Sequence, residues 1–291
     1  MNGFMIEYSN IVIVSAIMGA TGLLLGILIG FAAQIFKVKK DQRIELITQL
    51  LPGANCGGCG KAGCADLAKA IVNGELPPGQ CPVSSQETVN AISQILGIEN
   101  TASRRKTAVI LCGGDKNQTM NPNFYNGVSD CRSAAMISGG PKGCSYGCLG
   151  LGSCARTCPF GAIEIVNGLA IVHSELCVGC GKCAAVCPRK LIKLVSPDAK
   201  VHVYCSNPEK APRKRQYCKV FCIGCRKCEK TFPDKFTVEG FRASVNYDAE
   251  ILPTVEDIEA VKCPSLCLMS AAEHLAVEHS DPDHEKTEKQ I

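Results

Sequence analysis

The chain has few aromatic side chains and almost no excess of charge. Tryptophan is absent, and Phe, Trp and Tyr together make up 5% of the 291 residues, so the sequence does not predict an ordinary aromatic core. The formal net charge of +4, from 31 basic and 27 acidic residues, is too small to indicate nucleic-acid binding. Because 46% of the residues are apolar and only 20% are charged, most of the chain is not expected to be disordered.

Two common kinds of site are also missing from the sequence. No glycine-rich phosphate loop follows a strand and opens a helix, so we expect no nucleotide site on this chain. None of the five histidines has metal-ligand spacing. They are His173, His202, His274, His279 and His284.

Cysteine, by contrast, is abundant, with 21 residues. A fraction of about 7% is near the level that suggests a disulfide scaffold in a short secreted chain. This chain is long enough for about two domains, which do not need disulfides to make up for a small core. An odd number of thiols also cannot all pair. The thiols therefore need another explanation.

No charged residue lies between Glu7 and Lys37, and the stretch from Ile11 to Phe36 is almost entirely apolar. At about 1.5 Å per residue this stretch crosses a hydrocarbon core of about 30 Å. A signal peptide would have a shorter apolar region after basic residues, whereas only Glu7 precedes this one. The sequence therefore predicts a retained transmembrane helix.

Basic residues follow the apolar stretch directly, and by the positive-inside rule they place the remaining chain in the cytoplasm, where thiols stay reduced. Gly22, Gly26 and Gly30 form a small-residue face that suits packing against another helix, although glycine is also common in membrane helices. The basic residues are Lys37, Lys39, Lys40 and Arg43.

One cysteine run has the spacing C-x2-C-x2-C-x3-C-P of bacterial ferredoxins, in which the fourth cysteine binds the other of two clusters. Zinc sites more often use two separated C-x2-C pairs. An earlier run has Leu151 where the middle cysteine would stand, with Cys144 available upstream. Crossed ligation predicts one cluster on Cys144, Cys148, Cys154 and Cys187 and another on Cys158, Cys177, Cys180 and Cys183.

A separate group of four cysteines precedes these runs and is rich in glycine, which lets the backbone turn tightly and direct N–H groups at sulfur. We interpret it as a [4Fe–4S] site, with a small zinc module as the alternative. Its residues are Cys56, Cys59, Cys64 and Cys81.

The region after Val201 repeats the preceding one in degraded form. Residues 108–112 match 201–205, and Cys144-x3-Cys148 matches Cys218-x3-Cys222. Phe232 replaces the cysteine that matches Cys158, so this repeat is predicted to hold one cluster. Its ligands would be Cys222, Cys225, Cys228 and Cys263, with Cys218 or Cys267 able to replace the last.

Five cysteines remain without a role. Cys112 and Cys205 end equivalent strands, which favours structural packing, since buried free cysteine acts as a small hydrophobe. The count also allows a fifth cluster on Cys112, Cys131, Cys205 and Cys218, which leaves Cys267.

A basic segment, Pro208 to Lys219, is interpreted either as a surface that attracts an acidic partner or as a plain solvated loop. Its basic residues are Lys210, Arg213, Lys214, Arg215 and Lys219.

The predicted fold is α+β, with one transmembrane helix, a small mostly helical [4Fe–4S] module and duplicated bacterial-ferredoxin-like modules. Ser84 and Glu87 suggest a capping box for a helix ending near Leu96, and Asn167-Gly168 predicts a hairpin. The predicted divisions are 1–40 (anchor), 41–98 (four-cysteine module), 99–198 (two-cluster domain, its first residues a linker), 199–272 (degraded repeat) and 273–291 (disordered tail).

In this order, the segments resemble the B subunit of the Rnf ion-translocating ferredoxin:NAD oxidoreductase membrane complex over nearly the whole chain. The segments that carry the resemblance are an N-terminal membrane helix, LPGANCGGCGKAGC with GQCP, KGCSYGCLGLGSCARTCPFGAI and CVGCGKCAAVCP. The first cysteine module also resembles the small [4Fe–4S] domain of corrinoid iron–sulfur proteins.

The resemblance implies a complex that oxidises reduced ferredoxin, passes electrons through flavins and clusters, reduces NAD⁺ and exports Na⁺ or H⁺, or runs in reverse. It implies an electron-transfer subunit in the cell (inner) membrane, single-pass, with cytoplasmic domains. Its partners would be reduced ferredoxin and the other subunits, which hold the flavin and NAD sites. No catalytic residue is expected on this chain. The third region departs from the shorter family members. It would extend the series of clusters toward the electron donor, reduced ferredoxin. A membrane-anchored polyferredoxin of another respiratory enzyme and a zinc scaffold are the alternatives.

Overall fold

The computed structural model describes residues 2–35, 41–99, 105–121, 125–137 and 139–276. The chain divides into two compact units, Met1–Glu45 and Leu46–Ile291. All 21 cysteines belong to the second unit.

The first unit consists mainly of one long helix, α1 (Asn2–Ile35). Its segment Ile13–Ala32 has 20 residues, high hydropathy and exposed side chains throughout. A helix of that length spans about 30 Å, so the prediction of an apolar helix long enough to cross a membrane is confirmed. Lys37, Lys39 and Lys40 lie outside the described residues, whereas Arg43 pairs with Asp41 at 2.7 Å.

Helices build the first cysteine module. They are α2 (Gln42–Leu50), α3 (Cys64–Val72) and α4 (Gln86–Leu96), with a 3₁₀ turn at Pro78–Gln80. Their apolar faces bury Ile47, Leu67, Ile71, Val89 and Ile92. The residues thus form a small helical core of their own.

The predicted capping box of α4 is wrong by one residue. Ser85 is the N-cap, and its hydroxyl accepts the Thr88 N–H at 3.2 Å, whereas the Ser84 hydroxyl is buried without a hydrogen-bond partner. The helix ends at Gly97 in the left-handed conformation, so the predicted end near Leu96 is correct.

The next region has two antiparallel strand pairs and three short helices. Thr107 lies opposite Val195 in one pair, and Ile163 opposite Val172 in the other. Asn167 and Gly168 between the second pair have φ of 46° and 69°, which confirms the predicted hairpin turn. The elements are β1 (Thr107–Ile110), α5 (Cys131–Ile137), α6 (Ser153–Thr157), β2 (Ile163–Val166), β3 (Leu169–Val172), α7 (Lys182–Val186) and β4 (Ile192–Val195).

The last region has the same order of strand pairs. Its first strand pairs with its last, Val201 opposite Ser270, and a hairpin lies between them with Phe236 opposite Val245. The elements are β5 (Val201–Val203), α8 (Ala211–Arg215), α9 (Lys227–Thr231), β6 (Phe236–Glu239), β7 (Arg242–Val245), α10 (Val255–Val261), β8 (Leu268–Ser270) and α11 (Ala271–Leu275).

Each of these two regions has its own apolar core, and both cores contain cysteine. Ile110, Leu169 and Ile171 pack with Cys148 and Cys183 in the first core. In the second core, aliphatic and aromatic residues pack with Cys205, Cys222 and Cys267. These thiols therefore lie in the interior, among the apolar side chains.

The expectation of a disordered tail from residue 273 is wrong for residues 273–276. Helix α11 begins at a capping box in which the Ser270 hydroxyl accepts the Glu273 N–H at 3.1 Å and Glu273 accepts the Ser270 N–H at 2.6 Å. Its His274 is buried and lies 2.9 Å from the Cys112 carbonyl oxygen. Residues 277–291, and residues 100–104 of the predicted linker, lie outside the described residues.

Candidate metal centres

The ferredoxin-type loop folds around a cavity of about 330 Å³, called cavity I here. Gly179 has φ of +68°, and a Cβ there would lie 2.3 Å from the Lys106 carbonyl oxygen, so only glycine fits. The Ala108 N–H donates to the Cys177 Sγ at 3.3 Å. The cysteines at cavity I are the four predicted together, namely Cys158, Cys177, Cys180 and Cys183.

A second cavity of about 380 Å³, cavity II, does not have the predicted set. Cys144 is absent from it and Cys131 takes its place. The reason lies at the start of two helices: the Ser153 hydroxyl accepts the Cys131 N–H at 2.8 Å and donates to Asp130 at 2.9 Å. These bonds tie α5 to α6. The cysteines of cavity II are Cys131, Cys148, Cys154 and Cys187.

The thiols of cavity II are close enough to affect one another. Burial, together with the charges of Cys148, Cys131 and Cys187, raises the pKa of the Cys154 thiol to about 12. Sequence reasoning left Cys131 unassigned. The only sequence signal was Leu151, which indicates that one ligand comes from outside the run but not which of the three upstream cysteines, Cys112, Cys131 and Cys144, it is.

Cavity III, of about 380 Å³, lies in the last region and contains all four cysteines predicted for it together with Cys267. The Cys263 and Cys267 sulfurs lie 3.8 Å apart. The hydrogen bond from the Cys267 thiol lowers the pKa of Cys263 to about 5, and it also lowers that of Cys222. The same hydrogen bonds raise the pKa of Cys267. The cavity's cysteines are Cys222, Cys225, Cys228, Cys263 and Cys267.

In the first module, Cys56 and Cys59 lie on a loop, Cys64 begins α3 and Cys81 follows the 3₁₀ turn. Cys56 and Cys81 are buried, and Cys59 and Cys64 are half-buried. The Asn55 side-chain oxygen accepts the Cys64 N–H at 2.8 Å, which fixes the loop against the start of α3.

This loop also touches cavity I. A Cβ on Gly58 would lie 2.9 Å from the Cys180 carbonyl oxygen and 3.0 Å from its Cα. The lack of a side chain at Gly58 therefore lets the two cysteine loops meet backbone to backbone.

The donor chemistry favours iron–sulfur clusters over single metal ions. All 21 cysteines are free. Among the described residues, no three His, Cys, Asp or Glu side chains are close enough to hold one ion. The thiols of cavities I, II and III instead surround spaces that fit a group wider than one ion with thiolate ligands.

The basic segment before Lys219 is not a uniform surface. Lys214, on α8, is 1% exposed, and its ammonium donates to the carbonyls of Cys222 at 2.8 Å and Phe241 at 2.7 Å. Arg213 pairs with Glu209 at 2.9 Å. The interpretation of this segment as a docking surface is therefore wrong for Lys214, which has a structural contact instead.

Comparison with known proteins agrees with this geometry. One family model, described as a putative Fe-S cluster, matches residues 51–83, and the LdpA Fe-S cluster-binding domain matches residues 152–198. The first match contains all four cysteines of the helical module. The second contains most of those around cavities I and II.

Three relatives are similar over most of their length. The B subunit of the ion-translocating oxidoreductase complex of Methanosarcina acetivorans is 42% identical, over 75% of this chain and 83% of the relative. The B subunit of the Na⁺-translocating ferredoxin:NAD⁺ oxidoreductase complex of Acetobacterium woodii is 40% identical, over 89% and 77%. The proton-translocating counterpart of Clostridium ljungdahlii is 35% identical, over 74% and 76%. The chain therefore belongs to the family of B subunits of the ion-translocating ferredoxin:NAD⁺ oxidoreductase complexes, the Rnf complexes.

Proposed function

We propose that this chain relays electrons from reduced ferredoxin toward the flavin and NAD subunits of an ion-translocating complex, coupled to Na⁺ or H⁺ transport. The observation that carries the proposal is the presence of neighbouring cavities lined by thiols and by apolar side chains. When bound, [4Fe–4S] clusters supply one-electron redox chemistry, in which each donor loses the electron that its acceptor gains. The chain's own residues hold these groups, space them and keep water away.

Two helices connect cavities I and II. Helix α6 carries Cys154 at cavity II and ends at Cys158, which lines cavity I. Helix α7 carries Cys183 at cavity I and ends at Cys187, which lines cavity II. Four residues of helix rise about 6 Å, so each helix sets a short distance between the two sites. This crossing supports the two-cluster ferredoxin-like assignment of residues 99–198.

Backbone amides support the negative charge that thiolates bring. The Ala108 N–H donates to Cys177 and the Ala243 N–H donates to Cys222, each at 3.3 Å. Hydrogen bonds to sulfur stabilise the more reduced state and so help to set the potential. Cys225 is the one exposed cysteine, so cavity III reaches the protein surface. We assign the contact with reduced ferredoxin to the surface around Cys225.

The repeated strand order supports a duplication, with residues 199–272 as a second ferredoxin-like module that holds one cluster. The ligands we assign are the four cysteines of the first module, those of cavities I and II, and Cys222, Cys225, Cys228 and Cys263. Helix α1 is assigned as a single membrane span of the cell membrane, with the cysteine modules on the cytoplasmic side. The other subunits of the complex are its partners.

The test uses the full-length protein, purified in detergent without oxygen. We expect a brown protein with equal amounts of iron and acid-labile sulfide, whose visible absorbance bleaches when reduced ferredoxin is added. EPR should then show reduced [4Fe–4S] signals. A Cys177→Ala/Cys183→Ala variant should lose about four iron atoms per chain. A colourless protein that contains only zinc, or one that reduced ferredoxin does not reduce, would refute the proposal.

A further inference from the structure

A fourth cavity, of about 420 Å³, lies where the two strand-paired regions meet, and it is called the junction cavity here. Its size is close to that of cavities I, II and III. Four thiols line it, and none of them lines the other three. They are Cys112, Cys144, Cys205 and Cys218.

The four thiols come as two matched pairs. Cys112 follows β1 as Cys205 follows β5, and Cys144 stands four residues before Cys148 as Cys218 stands before Cys222. Each region therefore contributes the same two positions. The complete set of four thiols therefore forms only when both regions are present.

Backbone hydrogen bonds hold the two regions together around this cavity. The Gly113 N–H donates to the Tyr204 carbonyl at 2.9 Å. The Lys219 N–H donates to the Gln118 carbonyl at 2.8 Å, and the Met120 N–H to the Tyr217 carbonyl at 2.9 Å. The relative position of the matched pairs is thus set by direct contacts on both sides.

Glycines and N–H donors surround the sulfurs. A Cβ on Gly147 would lie 3.5 Å from both the Cys112 and Cys144 sulfurs, and one on Gly114 would lie 3.2 Å from the Cys218 sulfur. The buried Asn207 amide donates to Cys144 at 3.6 Å. Such close N–H donors are typical partners of cluster thiolates.

Two buried lysines, one from each region, also line the cavity. Lys142 is 4% exposed and donates to the Gly114 and Gly168 carbonyls at 2.6 Å each. Lys214 holds the equivalent hairpin turn through Phe241. Among the described residues neither has a carboxylate partner.

Buried ammonium groups without a counter-charge are costly. Four thiolates around an iron–sulfur core carry net negative charge, which would neutralise the two lysines.

We propose that Cys112, Cys144, Cys205 and Cys218 bind a further [4Fe–4S] cluster at the junction, an inference that rests on the proposed function. The fifth set that the cysteine count allowed had Cys131 in place of Cys144, and the structure exchanges these two cysteines between cavity II and the junction cavity. The junction site would connect the two copies.

The neighbours of the site support that connection. The Cys148 N–H, from cavity II, donates to the Cys112 sulfur at 3.3 Å. The Cys222 backbone, at cavity III, forms a hydrogen bond with the Cys205 sulfur. Each neighbouring cavity thus contributes one backbone hydrogen bond to a junction sulfur, from Cys148 at cavity II and from Cys222 at cavity III.

The test compares iron and sulfide in the full-length protein, purified without oxygen, with a Cys205→Ala/Cys218→Ala variant. Losing one of five clusters removes about four of about 20 iron atoms per chain. Ser206→Ala is the matched control, because it removes a 2.9 Å hydrogen bond to the Leu111 carbonyl across the same junction and leaves every thiol in place. We expect Ser206→Ala to retain all its iron.

A single Cys218→Ala variant decides the matter if the double variant does not fold. One iron then loses its ligand, so the oxidised protein should show the EPR signal of a three-iron cluster. Unchanged iron and no new signal would overturn the inference and leave the proposed function intact, since the other cavities would still account for the iron. Zinc at the junction would overturn it in the same way, whereas a wild-type protein without any cluster would overturn both.

Discussion

His202 makes the stability of the last region sensitive to mild acid. It lies on β5, is 2% exposed, and its Nδ1 is 3.0 Å from the Tyr247 hydroxyl. Burial, together with the nearby His274, lowers the pKa of His202 to about 4, whereas an unperturbed histidine has a pKa of 6.5. The folded state therefore keeps His202 neutral at a pH where the unfolded chain takes up a proton.

The sign and size of the effect follow from these two values. A depressed folded-state pKa means that the stabilisation is fully present above pH 6.5 and is lost as the pH falls toward 4. At 1.36 kcal/mol per pKa unit, one such histidine lowers the free energy of unfolding by about 1.3 kcal/mol between about pH 7.5 and about pH 5.5. That corresponds to about 3–5 °C in melting temperature for a protein of this size.

The assay compares wild type with His202→Gln, which cannot titrate but retains a hydrogen-bonding side chain. Both proteins are melted without oxygen at the two pH values and followed by circular dichroism. Acid loss of clusters and the titration of His274 affect both proteins alike, so the difference in pH dependence isolates His202. We expect the wild type to lose the extra few degrees at the lower pH. Equal losses in the two proteins would refute the reasoning.

Two further predictions concern cavity III. Arg226 has φ of +58°, at the position that Gly152, with φ of +75°, holds in the first copy, so Arg226→Gly should relieve about 1 kcal/mol of backbone strain. It would also lose an exposed 3.5 Å ion pair with Glu229 and a long 3.4 Å hydrogen bond to the Val238 carbonyl, each worth at most about 1 kcal/mol. The melting temperature should therefore change little, and a fall of more than about 5 °C would contradict this. Cys263→Ala should lower the iron content more than Cys267→Ala; the reverse order would make Cys267 the ligand.

Continuous patterns in the sequence predict local structure well in this protein. The C-x2-C-x2-C loop lines one cavity and Asn167-Gly168 closes a hairpin, because both depend only on adjacent residues. The long apolar stretch likewise predicts α1 from its own composition. In each case the physical cause of the structure is contained in the segment itself.

The exchange of Cys131 and Cys144 has a different origin. Both stand upstream of the same run, and spacing does not distinguish them. The choice depends on the Asp130–Ser153 hydrogen bond, which brings Cys131 to α6, and on the packing of the two copies, which holds Cys144 beside Cys112. A contact between copies has no local sequence signal, so only the folded chain reveals it.

In the proposed second copy, other contacts occupy the position that matches Cys158. Phe232 stands where the first copy has Cys158, and it packs on the apolar core with the Lys235 ammonium 5.0 Å from its ring centre. That ammonium also pairs with Asp257 of α10 at 2.7 Å, in a pair that is largely buried. The Phe232 ring and the Lys235–Asp257 ion pair thus occupy the end of the second copy that matches cavity I of the first copy. Cys205 and Cys218 remain at its inner end, facing the first copy. This position therefore offers no second cluster site beyond cavity III. The proposed electron path ends at cavity III, where the exposed Cys225 meets solvent.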